Sequence, residues 1–326
     1  MPMKAIRVLD DDDNSLEWSE ASAPEPEFGE VLIEVQATAV NRADLLQRMG
    51  AYDPPPGTTD ILGLEAAGVV TEVGTGVTDW SAGDRVCTLL PGGGYAEYVT
   101  SPAPMLLEIP DNLSFVEAAA IPEVFYTAYL NLMIEADQTP GERVLVHAGA
   151  SGVGTAAIQL CRLFGSPVFA TASESKLDFL RELGVAAAID RRNESFYDRV
   201  IDETDGEGVD IILDPVGADY LEDNLEVLRK QGRLVCIGLL SGTHAELNMG
   251  RLLRRRLRII GSVLRSRSLD EKVEITRRFR DQVWSYFANG ELEPIIYREM
   301  PIQKANDAHS LLRNNETIGK VVLRVP

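Results

Sequence analysis

The sequence predicts an α/β protein in which a β-rich part is joined to a doubly wound parallel sheet, and three observations lead there. Residues 1 to about 122 carry short alternating runs broken by turn signals. From about residue 123 strand-like and helical runs alternate. Early in that alternation, Arg143 to Phe164 reads as an apolar strand, a glycine-rich turn and a helix. Parallel strands need crossover connections, so the alternation places helices on both faces of the sheet.

In chain order, EVLIEVQATAV, GVVTEVG, DRVCTLL and GYAEYVT are the strands of the first part. Asp10 to Asp13 is a like-charge run in a turn, a solvated loop. The alternating part runs through PEVFYTAYLNLMIEA, RVLVHA, SPVFATA, SKLDFLREL, AAAID, SFYDRVIDET, VDIILDPV, DYLEDNLEVLRK, GRLVCIG and RIIGSVL. After about 265 a helix, LDEKVEITRRFRDQVWSYFANG, leads to a tail ending in a strand that returns to the first part. The expected domains are 1–122 and 266–326 together, with 123–265 between them.

The glycine-rich turn reads as a dinucleotide cradle. Val144 to Val146 form a strand buried on both faces, and Ala157, Ile158, Leu160, Cys161 and Phe164 recur at helical spacing after Gly154. The helix start offers free N–H groups and a positive dipole end to a pyrophosphate. Gly149, Gly152 and Gly154 let the backbone approach it, with Ser151 and Val153 completing the turn. The usual G-x-G-x-x-G becomes Gly149-x-Ser151-x-x-Gly154. About twenty residues on, where an NAD-binding chain carries an acid for the ribose 2′-hydroxyl, the strand VFATAS ends in Ser173. Ser173, Lys176, Arg191 and Arg192 can accept a 2′-phosphate, which points to NADPH. In the competing reading Glu174 plays the acidic role and the cations are ordinary surface charges.

Composition bounds the rest. The 326 residues, 45% hydrophobic and 25% charged, suffice for two domains. No apolar run approaches the roughly 20 residues of a membrane span, and MPMKAIRVLDDDD lacks a signal-peptide core, so a cytoplasmic location is expected. Cys87, Cys161 and Cys236 are widely spaced within apolar stretches, as buried reduced thiols are. A net charge of −20 argues against general nucleic-acid binding. Arginines outnumber lysines 25 to 6, and the acidic surface fits either salt adaptation or an acidic proteome. Arg251, Arg254, Arg255, Arg256 and Arg258 form the one basic cluster, read as covering apolar surface and pairing with acids rather than as an anion site.

The segment NRADLLQRMGAYDPPPG (Asn41 to Gly57), with GLEAAGVV, LLPGGGYAEYV, AAAIPE, HAGASGVGTAAIQL and LRSR, resembles the quinone oxidoreductase branch of the medium-chain dehydrogenase/reductase superfamily. Within it the nearest group looks like the p53-inducible quinone oxidoreductases, and the resemblance covers essentially the whole chain. It implies a GroES-like catalytic domain, a Rossmann domain binding NADPH, and a homodimer formed through the Rossmann edge strand, here RIIGSVL. Zinc-dependent members place a Cys near the helix start held here by Asn41-Arg42-Ala43-Asp44 and a His-Glu pair where this chain has Leu64-Glu65. Both soft ligands are missing, as is the four-Cys lobe, so no metal site is expected. His147 reads as a packed structural residue.

Without a Lewis acid to stabilise an alkoxide, the expected acceptor is one that takes hydride easily, and a quinone fits. Tyr52 is the candidate for hydrogen-bonding the quinone oxygen, its alternative being packing before Pro54-Pro55-Pro56. Asn41 and Asp44 resemble the polar residues beside the nicotinamide, Asn41 bonding the cofactor and Asp44 fixing the helix that presents it. Glu65 is expected to support the framework rather than act as a base. By resemblance, Thr127 approaches the nicotinamide unless it back-bonds within its helix, and Gly238, Leu239, Leu240, Leu264 and Arg265 fold over the same half. The alternatives to quinone reduction are reduction of an enal or enone C=C bond and a low-turnover NADPH-binding structural or sensor protein.

Overall fold

The computed structural model describes residues 2–326. They form two compact units, one made of the chain up to Tyr126 together with Arg265–Pro326, the other of Thr127–Leu264. Glu123 and Arg265 therefore both belong to the first unit.

The first unit is built on a seven-stranded sheet. Its order is Ile296–Pro301, Lys320–Arg324, Glu30–Val40, Glu65–Val73, Arg85–Leu89 and Leu106–Glu108, with Tyr98–Pro102 also paired to Glu30–Val40. The last strand of the chain runs antiparallel to Glu30–Val40, with Val321 opposite Val40. That pairing carries Lys320 to the end of the strand from which Asn41 emerges. Val31, Ile33 and Val35 on one strand and Val321 and Leu323 on the next alternate onto one face of the sheet, where they are buried together with Leu62 and Tyr95. A hairpin, Pro2–Val8 with Leu16–Ser22, lies outside the sheet.

The long helix expected after residue 265 is not one regular helix. Leu269–Phe279 widens into a π-helical stretch, Arg280–Trp284, before Ser285–Ala288. The extra residue per turn lets Trp284 Nε1 donate to Glu108 O at 2.8 Å and keeps Phe279 and Phe287 wholly buried beside Tyr126 and Phe125.

The second unit holds a six-stranded, all-parallel sheet ordered Ala187–Asp190, Val168–Ala172, Val144–Val146, Val209–Asp214, Leu228–Cys236 and Arg258–Gly261. Numbered from its own first strand this is 3-2-1-4-5-6, the Rossmann order, and the chain reverses direction across the sheet at Val144–Val146. Those three residues are fully buried, as a strand covered on both faces must be. Arg258–Gly261 is an edge strand and mostly exposed. Together the two sheets give the α/β architecture, a GroES-like unit and a Rossmann-like unit. No helix of the described residues is long and apolar enough to cross a membrane.

Candidate active site

The loop after Val144–Val146 lies at the carboxyl end of the strand where the order reverses, the place open α/β sheets use for ligands. Ser151 is the N-cap of the Gly152–Leu163 helix, its hydroxyl accepting from Gly154 N at 3.0 Å. Serine in the middle of the motif thus satisfies one of the free amides of the helix start. The left-handed residue of the turn is Ala148, at φ 53°, not a glycine of the motif. A Cβ on Gly154 would come within 2.5 Å of Ala148 O and 2.6 Å of Gly149 O, and one on Gly149 within 2.8 Å of the Ala170 methyl. Both positions are fixed by close packing of the loop on its own helix and on the neighbouring strand.

Ser173 follows Val168–Ala172, and Arg191 and Arg192 follow Ala187–Asp190, the strand paired to it with Asp190 opposite Ala172. Ser173, half-exposed Lys176 and the exposed arginines are thus gathered at the carboxyl ends of adjacent parallel strands. Glu174 is exposed in the same turn. Gly238, Leu239 and Leu240 form a loop held on Pro215, whose carbonyl accepts from Leu240 N at 3.2 Å, and the two leucines are 55% and 60% exposed. Thr127 is half-buried and its carbonyl accepts from Asn131 Nδ2, while Leu264 is buried.

His147 is a packed residue. It is 1% exposed, its Nε2 is 2.7 Å from Asn224 Oδ1 and its Nδ1 is 3.1 Å from Thr171 Oγ1. Phe196 and Tyr220 pack edge-on against its ring, and burial holds its pKa down to about 4. Asn224 in turn donates to Asp214, whose carboxyl burial pushes up to about 6. In the basic cluster, Arg251 pairs with Glu226 and Arg255 donates to the carbonyls of Glu226 and Leu228, while Arg254, Arg256 and Arg258 are exposed.

In the first unit a buried polar cluster surrounds Glu65, which starts its strand and is fully inaccessible. Lys320 Nζ and Asn41 Nδ2 both donate to Glu65 Oε1 at 2.8 Å, and Glu123 N donates to Oε2 at 2.8 Å. Lys320 also donates to Asn41 Oδ1 and to Val40 O. The Asn41 amide is thus engaged on both sides by its own unit. Its proximity to Glu65 and Lys320 makes it a brace between strand ends. Asp44 fixes the helix Arg42–Arg48, accepting from Asn41 N at 2.7 Å and from Gly63 N at 3.0 Å. Burial outweighs these bonds and raises its pKa to about 6. Behind it, Tyr95 Oη lies 3.4 Å from Asp44 Oδ2 and 3.2 Å from His309 Nε2.

Tyr52 is half-buried, and the Arg265 guanidinium sits over its ring, 5.2 Å from the centroid. Arg265 donates from Nε to Pro91 O at 2.9 Å and from Nη2 to Pro91 O at 2.7 Å and Gln47 Oε1 at 2.6 Å. Its side chain thus holds the Tyr52 ring beside Pro91 and Gln47. Burial, opposed by Arg265 and reinforced by Glu123, raises the Tyr52 hydroxyl above its ordinary range.

Two members of this cluster escaped the sequence. Lys320 stands 255 residues from Glu65; its one signal is a lysine at the head of the apolar run KVVLR in a chain with few lysines. Glu123 was legible only as part of AIPE. It is half-buried on the first turn of Pro122–Tyr129, and burial, with Glu65 and Asp44 nearby and only Lys320 opposing, raises its pKa to about 7.

Among the described residues no group of three or more His, Cys, Asp or Glu side chains could hold a metal. Glu65 is saturated by its own neighbours, and the Cys87 thiol is buried and pushed far above its ordinary range.

Residues 27–111 match the alcohol dehydrogenase GroES-like domain family, and residues 152–278 the zinc-binding dehydrogenase family. The synaptic vesicle membrane protein VAT-1 homolog of Rattus norvegicus is 37% identical over 320 residues, 93% of this chain and 78% of that protein. The chain belongs to the medium-chain dehydrogenase/reductase superfamily. Another relative in this superfamily, the quinone oxidoreductase-like protein 2 homolog of Nematostella vectensis, is 33% identical over 90% of the chain and 81% of its own length. Polyketide synthase GfsB of Streptomyces halstedii is 37% identical over 95% of the chain, which spans only 5% of that protein. Among solved structures, apo JamJ enoyl reductase superposes with a TM-score of 0.89 at 30% identity, covering 99% of both chains. The protein is an oxidoreductase of a superfamily that works with nicotinamide cofactors.

Proposed function

We propose that this medium-chain dehydrogenase/reductase is an NADPH-dependent, metal-independent reductase of quinones. The observation that carries the reading is the saturation of Glu65: the acid beside the superfamily's metal position is pinned by Lys320, Asn41 and the Glu123 amide. An acceptor here gains no Lewis acid from the side chains present, and a quinone needs none, because the anion it forms on reduction is delocalised. The relationship to a quinone oxidoreductase-like protein supports the same class.

When bound, the cofactor supplies hydride. The Ser151-capped helix start with Gly149, Gly152, Val153 and Gly154 would hold its pyrophosphate. Ser173, Lys176, Arg191 and Arg192 would hold the 2′-phosphate, with Thr127, Gly238, Leu239, Leu240 and Leu264 toward the nicotinamide. Tyr52, steadied by Arg265, would hydrogen-bond the acceptor oxygen. Asn41 and Asp44 support the site from behind. The exposed edge strand Arg258–Gly261 is the surface we assign to a homodimer.

A second reading, reduction of an activated C=C bond, is favoured by the similarity to JamJ enoyl reductase. Comparing turnover on 1,4-benzoquinone, 9,10-phenanthrenequinone and a simple enone separates the two. Higher kcat/KM on a quinone supports the first reading; an enone exceeding every quinone replaces it with the second.

A further inference from the structure

A continuous chain of buried hydrogen bonds runs across three adjacent strands of the parallel sheet, Val168–Ala172, Val144–Val146 and Val209–Asp214, and joins two loops at their carboxyl ends. At one end is the glycine-rich turn. Ala148 N, on the left-handed residue, donates to Thr171 Oγ1 at 3.3 Å, and Gly149 N donates to Thr171 O at 2.8 Å. Thr171 Oγ1 is 3.1 Å from His147 Nδ1, His147 Nε2 is 2.7 Å from Asn224 Oδ1, and Asn224 Nδ2 donates to Asp214 Oδ2 at 3.0 Å. At the other end Asp214 accepts from Val216 N at 2.6 Å and from Gly217 N at 3.3 Å. The Val216 carbonyl in turn accepts from Ser241 N at 2.8 Å and from Ser241 Oγ at 2.9 Å, which fastens the loop 238–242 to this end. Thr171, His147, Asn224 and Asp214 are each no more than 1% exposed, so bulk water does not compete for these bonds.

The chain of bonds has a single direction. Asp214, raised to about 6, is ionised at pH 7 and only accepts, so the Asn224 amide turns Nδ2 toward it and its oxygen toward the histidine. That oxygen requires the hydrogen on His147 Nε2. Burial keeps the ring neutral, its pKa held down to about 4, which leaves Nδ1 to accept from the Thr171 hydroxyl and the hydroxyl oxygen to accept from Ala148 N. No member can turn over or change tautomer without leaving a buried partner unsatisfied. Filling the space between Phe196 and Tyr220 would not by itself call for that polarity. We propose that Thr171, His147 and Asn224 are positioning residues that couple the two loops, so that a phosphate bound at the glycine-rich turn orders the Val216 and Gly217 backbone and, through Ser241, the loop 238–242. This rests on the reading of both loops as cofactor-binding.

The test reads the middle and the far end of the chain of bonds in full-length protein. Imidazole 15N shifts of His147, assigned by difference from His147→Gln, are expected to show a neutral ring at pH 7 with its hydrogen on Nε2. An Nδ1–H tautomer or a doubly protonated ring overturns the proposal. The coupling is read with 2′,5′-ADP, which carries the adenosine half of NADPH and no nicotinamide. At saturation it is expected to slow amide hydrogen exchange at Val216 and Gly217 by about tenfold. Thr171→Val keeps the shape of the side chain and removes the hydroxyl. Saturated with 2′,5′-ADP, it is expected to lose that protection, and Thr171→Ser to restore it. Wild-type protein that binds 2′,5′-ADP without slower exchange at Val216 and Gly217, or a Thr171→Val protein protected as wild type is, overturns the coupling. If wild type binds neither 2′,5′-ADP nor NADPH, the cofactor reading fails and the coupling with it, and the 15N shifts still report separately whether the bonds run in the direction described.

Discussion

Lys320 Nζ lies 2.8 Å from Glu65 Oε1, and the two side chains, 255 residues apart, are 3% and 0% exposed. Such a pair ties the head of the Glu65–Val73 strand to the last strand of the chain, across a discontinuous unit. Removing one member leaves the other charged and buried, so Lys320→Met is expected to cost about 3–5 kcal/mol of unfolding free energy in urea. Lys320→Met combined with Glu65→Gln is expected to recover part of that loss. A single-variant cost below about 1 kcal/mol would put the pair among weak surface bridges.

Ser151→Ala removes the cap on Gly154 N and is expected to destabilise by about 1 kcal/mol. Gly154→Ala is expected to cost more, because its methyl meets two backbone carbonyls that cannot turn aside as a side chain can. Urea denaturation ranks the two, and NADPH fluorescence titration is expected to show weaker binding in both. Equal stability of wild type and Gly154→Ala would contradict the packing described for the loop.

The pKa of His147 is held down to about 4 by burial, from 6.5 in the unfolded chain. Between those values the unfolded state binds more protons, so its contribution to stability is fully present above pH 6.5 and is lost as pH falls toward 4. Asp214, raised to about 6, acts oppositely, its contribution being lost as pH rises through 6. To isolate the histidine, His147→Gln is compared with wild type: the stability gap is expected to shrink between pH 7.5 and pH 4.5. A gap that stays constant or widens would mean that the imidazole is readily protonated in place.

The fold was legible because its signals are local. Alternation in EVLIEVQATAV, the continuous apolar run at Val144 to Val146 and helical spacing after Gly154 each report burial within one element. The polar cluster was not, because Lys320, Glu65, Asn41 and Glu123 meet only through sheet pairing, and nothing near Lys320 in sequence names its partners. The bonding of Asn41 and Arg265 could not be read from motifs either, since the partners of each lie on other segments: Glu65 and Lys320 for Asn41, Pro91 and Gln47 for Arg265. The break in the helix after Phe279 was likewise hidden, its sequence being as helical in pattern as what precedes it.

Ser173→Asp places a carboxylate where the 2′-phosphate is assigned and is expected to weaken NADPH at least about tenfold while sparing NADH, an effect of more than about 1.4 kcal/mol. Unchanged discrimination between the two cofactors would move that pocket elsewhere.

The central claim is hydride transfer from NADPH to a quinone without a metal, and stopped-flow oxidation of NADPH and NADH by chelator-dialysed protein with 1,4-benzoquinone tests it most directly. NADPH-selective turnover that neither dialysis nor added zinc changes is expected. Turnover that appears only when zinc is restored, or that prefers NADH, would contradict it.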